Sequence, residues 1–380
     1  MLISGYRYLD RKIPDEIQIS RGKKTEDVTE VLSTPFVTFE EAVTVSQDGG
    51  YILPCKLLGY IPFKEIKVTP ADDQEIYVSG STIGIYMQTE GVLVIDTGEI
   101  QNRNGETEEP ARNIIRQGDY IISFNGEKIS TKRELIDDIS ELDGSEVTLG
   151  ISRKGESIPV KDKKGDYKLG IWVRDDTQGI GTLTYVDQNG NYGALGHGIS
   201  DIDTAQLLNI RNGALYKARI LAINKGSKGN PGELAGYICY DDRNILGTIE
   251  ANSRNGIYGQ FTGITDDAIT LKKMPAAYKQ EVKIGTATIL CSTDGEVKEY
   301  DAEIRKIDLN HEDTNKSFVI KVTDKELLEA TGGIVQGLSG SPVIQNGKII
   351  GAVTHVFVQD ASSGYGIFIE NMLKNTERLF

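Results

Sequence analysis

Cysteine is scarce. Cys55, Cys239 and Cys291 are the only three, far apart, odd in number and without a CxxC pair. Neither a disulfide scaffold nor a thiolate metal framework follows, and buried or half-buried thiols are expected. Histidine is as rare: His197, His311 and His355 are the whole supply, which narrows any search for a general base. Proline numbers 10 against 42 glycines, a balance that favours tight turns over Pro-rich disorder. Basic residues (42) are outnumbered by acidic ones (56), for a net charge of −14. A surface of that sign repels polyanions, so nucleic acid is excluded as a main partner, and no polybasic patch attracts a membrane. No apolar run is long enough to span a bilayer. The first ten residues lack the basic end and apolar stretch of a signal peptide.

What is present suits two or three globular domains: 380 residues, 38% of them apolar. Residues 1–73 read as a small all-β spacer, with short strands at Glu16–Ser20, Pro35–Phe39 and Tyr51–Pro54 and a polar turn at Gln47–Gly50. Residues 74–172 change character. Strand-like Ile83–Met87 and Gly91–Ile95 precede an acidic loop, Gln101–Pro110, and the segment Gln117-Gly-Asp-Tyr-Ile-Ile. Thr131 and Glu134 form a capping box that starts a helix with Leu135, Ile139 and Leu142 on one face. Val147, Leu149 and Ile151 then alternate as a half-buried strand does, and Arg153–Glu156 is a turn. From 173 to 380 the pattern is β. Asn-Gly at 189–190, 212–213, 255–256 and 346–347 and Asp-Gly at 294–295 mark hairpins of antiparallel barrels or a sandwich, and Glu370–Phe380 reads as a short closing helix.

One segment points to chemistry: Gly332-Gly-Ile-Val-Gln-Gly-Leu-Ser-Gly-Ser-Pro342, followed by apolar strands. A nucleophilic serine needs an exposed hydroxyl and converging backbone N–H groups, and flanking glycines permit that backbone. The loop resembles the Gly-x-Ser-Gly-Gly-Pro of chymotrypsin-like proteases, with Ser341 in place of the second glycine. By that match Ser339 is the nucleophile, and the N–H groups of Gly337 and Ser339 form the oxyanion hole. The bland alternative is a Gly/Ser turn before a strand. A serine of this kind needs a base. His311 lies in a polar loop, Asn310–Asn315, and reads as solvated. His355 sits 16 residues after Ser339 on an apolar strand; Thr354, His355 and Val356 would line a substrate channel, or His355 is simply a hydrogen-bonded strand residue. His197 stands among small residues in Tyr192-Gly-Ala-Leu-Gly-His-Gly-Ile-Ser-Asp-Ile-Asp-Thr204, open to close approach. Asp201 and Asp203 could complete a metal site with it or, as the more natural reading, hold its loop; no further His or Cys ligand is evident.

Gly193–Thr204, Lys225–Glu233, Gly332–Gly347, Gly351–Val358 and Ser363–Glu370 together resemble the stage IV sporulation protein B peptidases, from about residue 74 to the end. That resemblance implies a mainly β protein: an N-terminal small β-domain (1–73), a PDZ domain (74–172) and a chymotrypsin-like double β-barrel serine peptidase domain (173–380). It implies a triad of His197, Asp324 and Ser339, with the aspartate 15 positions before the serine. Asp324 also suits the N-cap of a helix at Lys325–Ala330, and Asp201 and Asp203 compete as the acid that orients His197. In the PDZ domain, Thr82, Ile83, Gly84 and Ile85 would form the loop and strand that receive a peptide tail, or the chain's own N-terminal segment, as an added β-strand. No cofactor or metal is implied. The family's protein substrate is a membrane-associated regulator of an intramembrane metalloprotease, cleaved between the forespore and mother-cell membranes to activate a late sigma factor; these enzymes also cleave themselves. A membrane-insertion segment normally opens the family, and its absence here reads as a truncated start. A non-catalytic PDZ scaffold is the alternative of another class. A quality-control protease of the high-temperature-requirement type fits less well, because those place the PDZ domain after the catalytic one.

Overall fold

A computed structural model describes residues 2–44, 49–101, 105–141, 147–153, 156–162, 169–263, 267–310 and 315–380. His311, Leu142, the centre of the 153–156 turn and half of the Gln47–Gly50 turn lie outside the described residues.

The N-terminal region is not purely β. Helices α1 (Leu2–Lys12) and α2 (Thr25–Val31) accompany β1 (Glu16–Ser20), β2 (Val37–Phe39), β3 (Tyr51–Leu57) and β4 (Ile61–Ala71). The sheet runs β1-β4-β3-β2, with β1 parallel to β4 and a two-residue strand, Val43–Thr44, also on β3. Both helices are short, of 11 and 7 residues. Nor is the region a free spacer. Its buried Ile13, Ile17, Leu53, Ile66 and Val68 share one core with Ile289, Ile304, Ile320 and Val322 of the C-terminal barrel. Polar ties reinforce the seam: Arg11 pairs with Asp308 at 3.3 Å, and Asp15 donates its N–H to Asn310 Oδ1 at 2.9 Å.

Two long strands organise the middle of the chain: β5 (Thr82–Thr97) and a strand over Ile171–Val186. Between them come β6 (Tyr120–Phe124), α3 (Lys132–Ser140), β7 (Val147–Arg153) and β8 (Glu156–Asp162), so the second long strand is β9. β5 and β9 pair along their length, from Ile171↔Thr97 to Thr182↔Thr82. One end of this ribbon joins β6, β7 and β8 in a small lobe. There Val92, Val94, Ile121, Phe124, Leu135, Leu149 and Ile151 are buried together. The capping box of α3 forms as its sequence requires: Glu134 N–H donates to Thr131 Oγ1 at 3.2 Å, and Thr131 N–H to Glu134 Oε2 at 3.1 Å.

The other end of the ribbon belongs to a barrel. It is completed by β10 (Asn191–Ala194), β11 (Ile210–Asn224), β12 (Ile245–Ile249) and β13 (Gly256–Gln260). The order β9-β5-β11-β12 is closed through the Gly247–Phe261 bridge to β13, then β10, then β9. Ile83, Ile85, Leu183, Tyr192, Leu215, Leu246 and Ile257 fill it. The expected boundary at 172/173 therefore falls inside β9, and β5 serves lobe and barrel alike. Period-2 alternation does not reveal where one strand changes partners.

A second barrel closes in the order β14 (Gly285–Ser292), β15 (Val297–Ile307), β16 (Phe318–Val322), β19 (Asp360–Phe368), β18 (Lys348–Phe357) and β17 (Pro342–Gln345). α4 (Lys325–Thr331) follows β16, and α5 (Ile369–Leu379) closes the chain with Ile369 and Met372 buried. The fold is thus mainly β, with two barrels side by side. The Gly turns at 190, 295 and 347 have φ of +84°, +101° and +76°, the left-handed backbone that hairpins ask of Asn-Gly and Asp-Gly. Asn212-Gly213 is the exception: it lies inside β11, paired to Gln88 and Met87.

Candidate active site

The first barrel delivers His197 and the second delivers Ser339. β10 ends at Ala194, and Leu195 and Gly196 follow with φ of +68° and +67°. Two left-handed residues in a row turn the chain sharply toward the second barrel. At Gly196 a Cβ would stand 2.9 Å from both Thr354 Cγ2 and Ile367 Cγ2, so glycine lets the segment press against β18 and β19.

The serine loop approaches from the other side. At Gly340, φ +94°, a Cβ would lie 2.3 Å from Thr182 O and 2.5 Å from Leu195 N. Thr182 N–H donates to Ser339 O at 3.1 Å, Thr182 Oγ1 to Gly337 O at 2.8 Å, and Thr184 Oγ1 to Gly340 O at 2.8 Å. Two buried threonines of β9 thus peg three carbonyls of the nucleophile loop to the barrel that carries the histidine. Sequence reasoning missed both; Thr182-Leu-Thr184 in a β-pattern looks like ordinary strand filler. The segment Lys225–Glu233 supports the loop from behind. Gly226 N–H donates to Thr331 O at 2.7 Å, and Gln336 N–H to Gly232 O at 3.1 Å.

Ser339 Oγ donates to Thr354 O at 2.9 Å. The next residue, His355, packs its ring on that of His197, with centroids 4.9 Å apart and planes inclined by 40°. His197, Ser339, Thr354 and His355 are therefore assembled in one place. Val356 instead packs partly buried on the second barrel's core. Neither Gly337 N–H nor Ser339 N–H donates to an acceptor among the described residues, which leaves both available to an incoming oxyanion.

His197 Nδ1 lies 2.9 Å from Gly198 O. A carbonyl only accepts, so Nδ1 bears the proton and Nε2 keeps its lone pair. Burial holds the His197 pKa below the ordinary histidine value, partly offset by the Gly198 carbonyl. Burial, then the neighbouring His197 and Lys316, push His355 down to about 4, and its buried Nδ1 has no hydrogen-bond partner among the described residues.

The structure does not bring Asp324 to the ring. Its Oδ1 accepts the Leu327 N–H at 3.0 Å as the N-cap of α4, and its Oδ2 accepts the Asp301 N–H at 3.3 Å. Asp201 and Asp203 face elsewhere too. Both pair with Arg174, the Asp203 contact at 3.0 Å, and Asp201 Oδ1 accepts the N–H groups of Asp203 (3.1 Å) and Thr204 (2.8 Å). They hold the loop, and a guanidinium occupies the side where a metal ion would sit. Among the described residues, no group of three metal-ligating side chains forms, and no helix is long and apolar enough to cross a membrane.

Thr82, Ile83, Gly84 and Ile85 are a correction. They are the first four residues of β5, paired on one side to Thr182, Gly181, Ile180 and Gly179 of β9 and, from Ile83 on, to Lys217, Tyr216 and Leu215 of β11 on the other. Ile83 and Ile85 are in the barrel core. A strand with both edges occupied cannot add a peptide. An edge unpaired among the described residues runs along Ile171–Val173 instead. Leu169-Gly-Ile-Trp-Val173 borders a groove of about 490 Å³ whose other wall is Leu135, Ile136 and Ile139 of α3.

Where the two β-barrels meet, Ser339 Oγ, the contacting rings of His197 and His355 and two N–H groups unpaired among the described residues come together. Comparison with known families gives the class of protein. The family model described as SpoIVB peptidase S55 matches residues 165–373, over half of the chain, and the chain belongs to that family of serine peptidases. Among solved structures, it resembles the Rv3671c protease in its inactive form, at 15% identity, with 53% of this chain and 84% of that chain covered and a TM-score of 0.27. The active form of Rv3671c protease from M. tuberculosis matches at 14% identity, covering 53% and 74%, with a TM-score of 0.25.

Proposed function

We propose that this peptidase cuts polypeptides with His197 as general base and Ser339 as nucleophile. Nε2 accepts the Ser339 proton, Oγ attacks the scissile carbonyl, and the N–H groups of Gly337 and Ser339 receive the developing oxyanion. His197 then protonates the leaving amine, and water resolves the acyl-enzyme by the reverse proton path. The observation that carries this reading is the interlock of the two segments: Gly340 lies against the backbone of Leu195, and Gly196 against the side chain of Thr354. The Gly198 carbonyl takes the tautomer-fixing part that an acid plays in a triad. The resting bond from Ser339 Oγ to Thr354 O breaks by rotation about one side-chain torsion when substrate enters.

The biological role we assign is that of the family: cleavage of a membrane-associated regulator of an intramembrane metalloprotease, leading to late sigma-factor activation in sporulation, and self-cleavage. Family membership supports it. The lobe around α3 acts as the PDZ domain, and its peptide site is the groove between α3 and Leu169–Val173. Support comes from the unpaired strand edge there, the left-handed Gly170 (φ +63°) before it, and the apolar wall of Leu135 and Ile139. Treatment of the folded protein with a fluorophosphonate and peptide mapping should place the adduct on Ser339. Absence of label, together with proteolysis that survives Ser339→Ala, would end the reading.

A further inference from the structure

The β5–β9 ladder breaks between lobe and barrel. Arg174 pairs with Leu93, yet the next register is Asp176 with Gln88. Four residues of β5, Thr89 to Val92, thus bulge opposite the single residue Asp175, with Gly91 at φ +89°. A break of this kind weakens the coupling of the two strand ends and bends the ribbon. At the break, neighbouring side chains of β9 reach to opposite sides, as alternation along a strand dictates. Asp175 holds the start of α3, accepting the Lys132 N–H at 2.9 Å and pairing with Lys132 Nζ at 2.9 Å. Arg174 reaches the loop after His197, where its two terminal nitrogens bind Asp201 and Asp203 separately.

Asp201 is the hub of that loop. Its side chain is 1% exposed, and its only charged partner among the described residues is Arg174. Its main chain closes the loop as well: Asp201 N–H donates to Gln206 O at 2.9 Å, and Ala205 N–H to Asp201 O at 2.8 Å. Toward the histidine, Asn252 Oδ1 accepts the Ile199 N–H at 2.9 Å, and Leu208 N–H donates to Ile199 O at 3.0 Å. The path from guanidinium to imidazole is short: Arg174, Asp201, the strand-like Ile199–Leu208 base, Gly198, His197. The lobe grips the same loop at a second point through Gln117 Nε2, which donates to Asp203 O at 3.0 Å.

We infer that Arg174 is a positioning residue for His197: its two-pronged ion pair with Asp201 and Asp203 spans the break in the β5–β9 ladder and fixes the histidine loop to the strand that edges the α3 groove. This rests on the reading of His197 and Ser339 as base and nucleophile. A bidentate guanidinium suits the task, because one planar fork fixes two carboxylates in orientation and a lysine does not.

The test is the second-order rate of fluorophosphonate labelling at Ser339, read beside the thermal midpoint of the full chain. Arg174→Gln should slow labelling at least tenfold and lower the midpoint, since it strands a buried carboxylate. Arg174→Gln with Asp201→Asn removes that stranded charge while leaving an amide oxygen for the Asp203 and Thr204 N–H groups. This double variant should regain most of the lost midpoint but not the rate. Arg174→Lys, which keeps one charge without the fork, should fold and fall between wild type and Arg174→Gln in rate. Wild-type labelling in Arg174→Gln or in Arg174→Lys, or recovery of rate and midpoint together in the double variant, overturns the inference. A His197→Ala control distinguishes the two levels: labelling at the wild-type rate there removes the catalytic reading itself.

Discussion

Two imidazoles in contact, neither with a carboxylate partner among the described residues, set the acid behaviour of the site. Both pKa values are depressed by burial, His355 to about 4, so both rings are neutral at pH 7. The unfolded chain, with histidines near 6.5, binds more protons than the folded one below that value. Stability from these residues is therefore intact above pH 6.5 and is lost as pH falls, for His355 through about pH 4. Replacing His355 by Gln removes one titration. The variant should lose less of its own thermal midpoint between pH 6.5 and 4 than the wild type loses; parallel losses would show that His355 does not titrate this way. The serine loop stands out in the sequence because a nucleophile of the kind proposed needs a local Gly-rich loop. The threonines that peg that loop do not, because their partners lie over 150 positions away.

At the scale of elements, Asp324 separates two accounts. As the cap of α4 it needs an acceptor oxygen, and asparagine supplies one; as the acid of a triad it needs its charge. Asp324→Asn keeps the acceptor for the Leu327 N–H and gives up only the longer contact with the Asp301 N–H, so it should keep Ser339 labelling close to wild type and lose less stability than Asp324→Ala, which should cost about 1 kcal/mol in denaturant unfolding. A loss of about 10⁴ in rate for Asp324→Asn, as amide replacement of a triad acid produces, would place Asp324 at the imidazole in the working enzyme. The helix after Thr131 was readable from its capping box, since cap and period are local signals. The fate of Thr82–Ile85 was not. A glycine between isoleucines after a serine looks alike whether it opens a peptide groove or runs through a barrel wall, and only the pairing of both edges decides. The segment that borders the α3 groove, Leu169–Val173, carries the same Gly-Ile pair, so the local signal had two equal claimants.

Over the whole molecule, the N-terminal sheet is a structural partner of the catalytic barrel rather than a tether. Ile13, Ile17, Leu53 and Ile66 are each 0% exposed, and they complete a core whose other half is the second barrel. Removal of residues 2–71 would expose that core to water at about 25 cal/mol per Å². The shortened protein should precipitate or melt well below the full chain, and an unchanged melting midpoint would contradict a shared core. Hairpin punctuation made antiparallel barrels or a sandwich legible, and the family resemblance supplied the double barrel. The sharing of β5 and β9 between lobe and barrel was not legible, because nothing in a 16-residue strand marks the residue at which its neighbours change.

The account as a whole depends on proton transfer across the cleft between the barrels. The pH dependence of Ser339 labelling by a fluorophosphonate, in wild type and in His197→Ala, tests it most directly. The wild-type rate should rise with pH through one titration centred below 6.5, the side to which burial moves His197, and His197→Ala should fall at least a hundredfold and lose that titration. Equal rates and the same pH profile in the two proteins would contradict it.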